Sequence, residues 1–239
     1  RLDNAIQSVR DDPTLARAQL EGPSPTPALA EYIANSQSAT IPPDILELGK
    51  RHILDTLASL LVSAQLKPAC LARDFARFHG GSGSEATLLT TEEKTSLLDA
   101  IFANAMTAHA AEINDFCPSA FVQPGPPILS ILMGIGETLH TSGDRVLRAL
   151  VTGYEVACRV PKALGINNLR DGGLSNHGVG PVFGGAAAAA SLLGIPQQKI
   201  PDMLAYCVQQ TSGSFNWMRD EEHVEKAFLF AGMPARNGA

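Results

Sequence analysis

With 239 residues, 45% of them hydrophobic and 18% charged, the chain has the balance of a globular protein and the length for one large domain or two small ones. A net charge of -6 withholds the basic footprint a general nucleic-acid binder needs, and no apolar run is long enough to span a bilayer. Only 5% of the residues are aromatic, so the core has to be built from Ala, Leu, Ile and Val, which suits close helix-on-helix packing.

Residues 1–26 mix charge with Pro13, Pro23 and Pro25 and lack periodicity, and are expected to form a poorly ordered arm. A short helix is predicted over 28–34. Pro42 and Pro43 then open a long helix that places Leu46, Ile53, Leu57, Leu60 and Leu61 on one core-facing stripe. Residues 67–78 form a second amphipathic helix, ended by His79-Gly80-Gly81. The segment 85–90 can be extended, but a single such segment makes no sheet. A helix is predicted from Thr91, with Glu92 and Glu93 in its first turn, to about Glu112, before Cys117-Pro118 stops it. An irregular loop over 119–127 leads to an apolar helix over 128–139. Next comes a long helix capped at Ser142, which Pro161 kinks or ends. Helices over about 201–210 and 225–230 close the chain. No βαβ alternation appears, and the fold class is all-α.

The stretch Leu174-Ser-Asn-His-Gly-Val-Gly-Pro-Val-Phe-Gly-Gly runs directly into five alanines. Gly178, Gly180, Gly184 and Gly185 leave room for neighbouring backbone, so the segment reads as a loop feeding a thin, buried helix, with Ala187 to Ala189 at a close helix contact. His177 stands at the mouth of that helix. The positive helix end should favour an anion there and lower the imidazole pKa. The alternative is a Gly-rich turn with a histidine that only packs. The Gly-x-Gly spacing is not a dinucleotide loop, since no strand precedes it.

His109-Ala-Ala-Glu112 sets an imidazole and a carboxylate three residues apart on one helical face, with Asp115 just beyond. These groups can serve as an acid/base pair with its orienting partner, as a hard-metal site, or as a polar tie at a helix end. The charge-dense run Arg219-Asp-Glu-Glu-His-Val-Glu-Lys226 is either a solvated face or the source of a lysine that meets a substrate carboxylate. The four cysteines are far apart and form no Cys-x-x-Cys pair, so no cysteine-built metal site is expected. They suggest a reducing compartment, and the charged N-terminus without an apolar signal core suggests a cytoplasmic location.

Five stretches together carry a family resemblance: Ile53-Leu-Asp-Thr-Leu-Ala, Asn104-Ala-Met-Thr-Ala-His-Ala, Gly153-Tyr-Glu-Val-Ala-Cys-Arg, His177 with its Gly/Ala helix, and Lys226 through Ala235-Arg-Asn-Gly. In this combination and order the sequence resembles the MmgE/PrpD family of dehydratases, decarboxylases and epimerases, from about Ala28 onward. The resemblance implies a helical domain over 27–239, incomplete at its C-terminal end, with the family's following α+β lid absent from this chain. It implies homodimers, no metal and no organic cofactor. His109, Asp115, His177 and Lys226 match the family's pattern, whereas Glu112 replaces an aspartate, Phe116 a threonine and Gln123 a histidine.

The activity so implied is a cofactor-independent lyase that removes a proton α to a carboxylate of a small di- or tricarboxylate. Lys226 and the loop N–H groups near His177 would hold the developing charge, and His177 or Glu112 would move the proton, with Asp115 completing the catalytic set. His109, Gln123 and Gly178 would line the substrate. An epimerase or isomerase shares the first step and is the alternative. Phe116 and Gln123 also leave open a non-catalytic dimerising relative.

Overall fold

The computed structural model describes residues 23–239; residues 1–22, and with them nearly all of the expected arm, lie outside the described residues. Proline sets most helix starts. Helix α1 (Thr26–Asn35), α2 (Pro43–Ser63) and α3 (Lys67–Gly80) carry Pro27, Pro43 and Pro68 in their first turns. A ring with φ near −65° and no N–H costs nothing there, because that amide would have no partner anyway. The same device opens α5 (Gly125–Thr138), three residues earlier than the loop expected over 119–127 allows. Helix α4 (Leu97–His109) instead starts on Ser96, whose Oγ accepts from the Asp99 N–H at 3.4 Å.

Two expectations are corrected between α3 and α4. The segment after Thr91 is not helical: Lys94–Thr95 (β2) pairs antiparallel with Ala86–Thr87 (β1), so the extended segment does find a partner. The hairpin is held by long-range groups that no local signal reveals. The Glu137 carboxylate accepts from the Thr87 N–H and Oγ1 at 2.8 Å each and pairs with Lys94 Nζ at 2.7 Å, while Asn104 bonds the Leu89 N–H and the Thr87 carbonyl.

Helix α6 (Gly143–Leu164) has Ser142 at its N-cap as expected, though without a side-chain cap bond, and Pro161 does not end the helix but lies inside its last turn. Proline cannot bond the Ala157 carbonyl four residues back, and Gly180 packs against that carbonyl, where an added Cβ would lie 2.5 Å away. The short α7 (Ile166–Asp171) and a 3-10 turn at Asn176–Gly178 lead into α8 (Gly180–Leu193), the Gly/Ala helix, nearly all of it buried.

Helix α8 is the axis of the molecule. It packs on α6, α5 and α1, and on α9 (Ile200–Gln210). The main core cluster joins Ile101 and Ala105 of α4, Ile128 to Ile135 of α5, Leu150 and Ala157 of α6, and Ala188 and Leu192 of α8. Gly153 and Gly184 face each other across the α6–α8 contact, where a Cβ on Gly184 would sit 2.5 Å from Ala157 Cβ and 2.6 Å from the Gly153 carbonyl. The stripe on α2 is corrected at one position: Leu60 is buried, but Leu61, one helical step round, is 67% exposed. The chain closes with α10 (Val224–Ala227), a π-helical turn at Phe228–Gly232 and α11 (Met233–Gly238) in place of one helix. The fold is all-α apart from the hairpin. Among the described residues no helix is long and apolar enough to cross a membrane.

Candidate active site

Helix α4 ends on His109, and the backbone turns sharply away. Glu112 has φ +50°, so the helical face expected to pair the two does not exist. His109 is wholly buried and its Nδ1 bonds Asn114 Oδ1 at 3.0 Å, while Asn114 Nδ2 donates to the Asp115 carbonyl at 3.2 Å. An amide oxygen only accepts, so Nδ1 carries the proton and Nε2 is left with a lone pair and no partner. Burial above all, with His223 next, pushes the His109 pKa down to about 3.

His177 is 2% exposed and lies with its ring stacked on Phe230 at 3.6 Å, while Phe121 and Trp217 meet it edge-on at 5.5 and 6.3 Å. Its Nδ1 has no partner among the described residues. Its pKa is also pushed down to about 3, in the expected direction but for a different reason: burial first, then the charge on Lys226. Phe230 is the hub of the cluster, since the His109 ring lies 5.1 Å and the Trp217 ring 4.9 Å from it. It sits in the π-helical turn, where one extra residue per turn shifts the side chains that follow Lys226.

Lys226, in α10 just before that turn, places Nζ 2.9 Å from Glu112 Oε2 and 5.4 Å from the Trp217 ring centre. His223, in the left-handed region at φ +61°, brings Nδ1 to 3.6 Å from the same carboxylate oxygen and stacks at 5.5 Å on His109. Burial lowers its pKa against the pull of Glu112.

The structure therefore brings His109, Glu112, His177 and Lys226 together, and adds His223, Trp217 and Phe230, which sequence reasoning did not select. The charge-dense run around 219–226 pointed to the region, but nothing local distinguished His223 within it. Asp115 is placed otherwise. Its carboxylate accepts from the Gly125 N–H at 3.1 Å, lies 3.6 Å from His52 Nδ1, and so holds the start of α5 against α2. Burial, the largest influence, raises its pKa. Gln123 is buried with Oε1 unpartnered and makes no hydrogen bond to the cluster among the described residues. Gly178 is not an open anion-binding amide: its N–H donates to the Ser175 carbonyl at 3.0 Å, and the Val179 N–H to the Asn176 carbonyl at 3.1 Å. Glycine is required there because a Cβ would fall 1.8 Å from the Ser212 carbonyl. Among the described residues no group of three His, Cys, Asp or Glu side chains is arranged to hold a metal ion. Beside the cluster opens a cleft of about 870 Å³ whose walls include Phe121, Asn176, Trp217 and Arg219.

What this geometry offers is a set of neutral, water-poor imidazoles next to a lysine whose charge is balanced by one carboxylate. Such a set accepts a proton and stabilises a developing anion, provided an incoming anion replaces or shares Glu112. The sequence pattern of the MmgE/PrpD N-terminal domain matches residues 27–239. The chain is similar to cis-aconitate decarboxylase of Aspergillus terreus, 25% identical over 193 residues, 79% of this chain and 39% of that protein. It is also similar to the cis-aconitate decarboxylase-like protein oryM of Aspergillus oryzae, 26% identical over 233 residues, 89% of this chain and 47% of that protein. It thus spans less than half the length of these curated relatives.

Proposed function

Since the chain belongs to the MmgE/PrpD family, through a match to its N-terminal domain, we propose that it supplies the helical part of a cofactor-independent lyase for a small di- or tricarboxylate. The observation that carries this reading is the pair of buried, neutral histidines, His109 and His177. Each has an unpartnered ring nitrogen, and both line Phe230 beside the Lys226–Glu112 ion pair.

In this reading a substrate carboxylate takes the Lys226 ammonium, and His177 or His109 removes the proton from the carbon α to a carboxylate. The electron pair left on carbon spreads into that carboxylate, whose charge Lys226 stabilises. It then expels hydroxide from the neighbouring carbon, which takes the proton back from the imidazolium and leaves as water. In a decarboxylase no proton is removed first: the bond to the carboxylate breaks to release carbon dioxide, and the electron pair left on carbon takes a solvent proton relayed through the imidazole. Glu112, engaged by Lys226 at 2.9 Å, serves as the counter-ion that keeps the lysine in place before substrate arrives. The decarboxylase names of the similar proteins support a lyase. We place the protein in the cytoplasm, as a homodimer, on the resemblance and on its four free thiols.

The decisive experiment incubates the full-length protein with candidate acids in heavy water. A lyase gives an alkene or releases carbon dioxide; exchange with inversion and no alkene selects the epimerase. The epimerase is a specific second reading because two imidazoles, not one, flank Phe230, so that one can take the proton and the other return it. Calorimetry that detects no carboxylate binding would leave the non-catalytic relative.

A further inference from the structure

The cleft of about 870 Å³ shares Phe121, Asn176 and Trp217 with the surroundings of His177, and Trp217 is also the ring over which Lys226 Nζ lies. Its walls are mainly apolar, with Ile166, Phe215 and Met218 alongside the aromatics, but two guanidinium groups, Arg170 and Arg219, line it as well. In a chain of net charge -6, two arginines on one mostly apolar cleft reverse the local sign. Neither is used by the fold. Among the described residues Arg170 pairs only with its neighbour Asp171, at 3.5 Å and exposed, an interaction of little worth, and Arg219 has no ion-pair partner. One further polar group waits there. The buried Trp217 Nε1 has no acceptor among the described residues. A buried donor without an acceptor is costly unless something arrives to satisfy it.

We infer that the cleft takes a second carboxylate of the substrate, held by Arg219 with Arg170 in support and the Trp217 N–H as a neutral donor, while the first lies on Lys226. Trp217 is then the wall common to both subsites, and the enzyme reads its substrate as an acid with at least two separated carboxylates. A single-carboxylate acid leaves the arginines unpaired and gains nothing from them. A planar guanidinium fork accepts a carboxylate through two hydrogen bonds, which an ammonium cannot reproduce. The inference rests on the functional reading above, and Lys226 provides the control that separates the two.

Binding of tricarballylate, with three carboxylates, and of butyrate, with one, is measured by calorimetry on the full-length protein. Arg219→Gln is expected to weaken tricarballylate by about 10- to 100-fold, the worth of charge-assisted hydrogen bonds, with butyrate unchanged. Arg219→Lys recovers part of the loss and Arg170→Gln shows a smaller one, while melting temperatures stay put because both residues are exposed. Equal tricarballylate affinity in wild type and Arg219→Gln, with affinity lost in Lys226→Gln, overturns the second subsite and leaves the lyase reading standing. Affinity unchanged in Lys226→Gln as well, or no binding by the wild type, overturns both.

Discussion

His109 and His177 stay unprotonated in the folded protein because water cannot reach a charged imidazole there, and both titrate near 3. In the unfolded chain they titrate at about 6.5, so as pH falls it is the unfolded state that takes up protons first. Their contribution to stability is complete above about pH 6.5 and is lost progressively from there toward pH 3, by about 1.4 kcal/mol per pH unit for each histidine. Urea midpoints measured at pH 7, 6 and 5 should fall steeply, and His177→Gln should remove about half of the part of that slope owed to His109 and His177. Under the proposed lyase reading, the same variant lowers turnover by the full-length protein about 100- to 10,000-fold, since glutamine cannot take a proton. Loss of the 3.6 Å stack on Phe230 should cost about 1 kcal/mol of stability, too little to unfold the protein. Full activity in His177→Gln would leave proton transfer to His109, whose Nε2 is equally unpartnered.

Helix α8 shows how small residues are used as an element. Its glycines are not equivalent. An added Cβ at Gly184 meets Ala157 Cβ and the Gly153 carbonyl at 2.5 and 2.6 Å, where two helix backbones would have to separate. At Gly185 its one close contact is Ile131 Cδ1, also at 2.5 Å, the end of a side chain that can rotate, with the Gly238 backbone at an ordinary 3.6 Å. Gly184→Ala should therefore destabilise by about 2–3 kcal/mol and Gly185→Ala by about 1 kcal/mol or less, an ordering that chemical denaturation will check. Ala188 is fully buried against Gly153, so Ala188→Leu should cost about 1–3 kcal/mol through overpacking; an unchanged melting temperature would contradict the central place of α8. The π-helical turn after Lys226 is the other element that shapes the candidate site, because it carries Phe230 against both His177 and His109.

At the scale of the whole molecule, α2 leaves Leu54 and Leu61 exposed on one side, seven residues apart and so nearly aligned on the helix. If the proposed homodimer uses this face, Leu61→Glu should convert it to a monomer in sedimentation velocity while shifting stability by no more than about 0.5 kcal/mol; a wild type that sediments as a monomer overturns the dimer. Much of the architecture was legible from residues 26–239 alone. Prolines in first turns, apolar spacing and the Gly/Ala run are local properties, and local properties decide where a helix starts and which side of it is buried. The resemblance was legible for the same reason, since its motifs are contiguous stretches. The hairpin was missed because its clasp, Glu137, lies 50 residues from Thr87 in the chain. Spacing along the chain pairs Glu112 with His109, three residues away, but in the fold Glu112 meets Lys226, 114 residues on. The sequence by itself determined that this is an all-α chain, and it proposed His177, Glu112, Asp115 and Lys226 as catalytic candidates with His109, Gln123 and Gly178 beside the substrate. Only the tertiary structure decided that the histidines are neutral and face one phenyl ring, that His223 and Trp217 join them, and that Asp115 does not. Protonation and pairing depend on what excludes water and what lies across the fold, and neither is encoded in spacing along the chain.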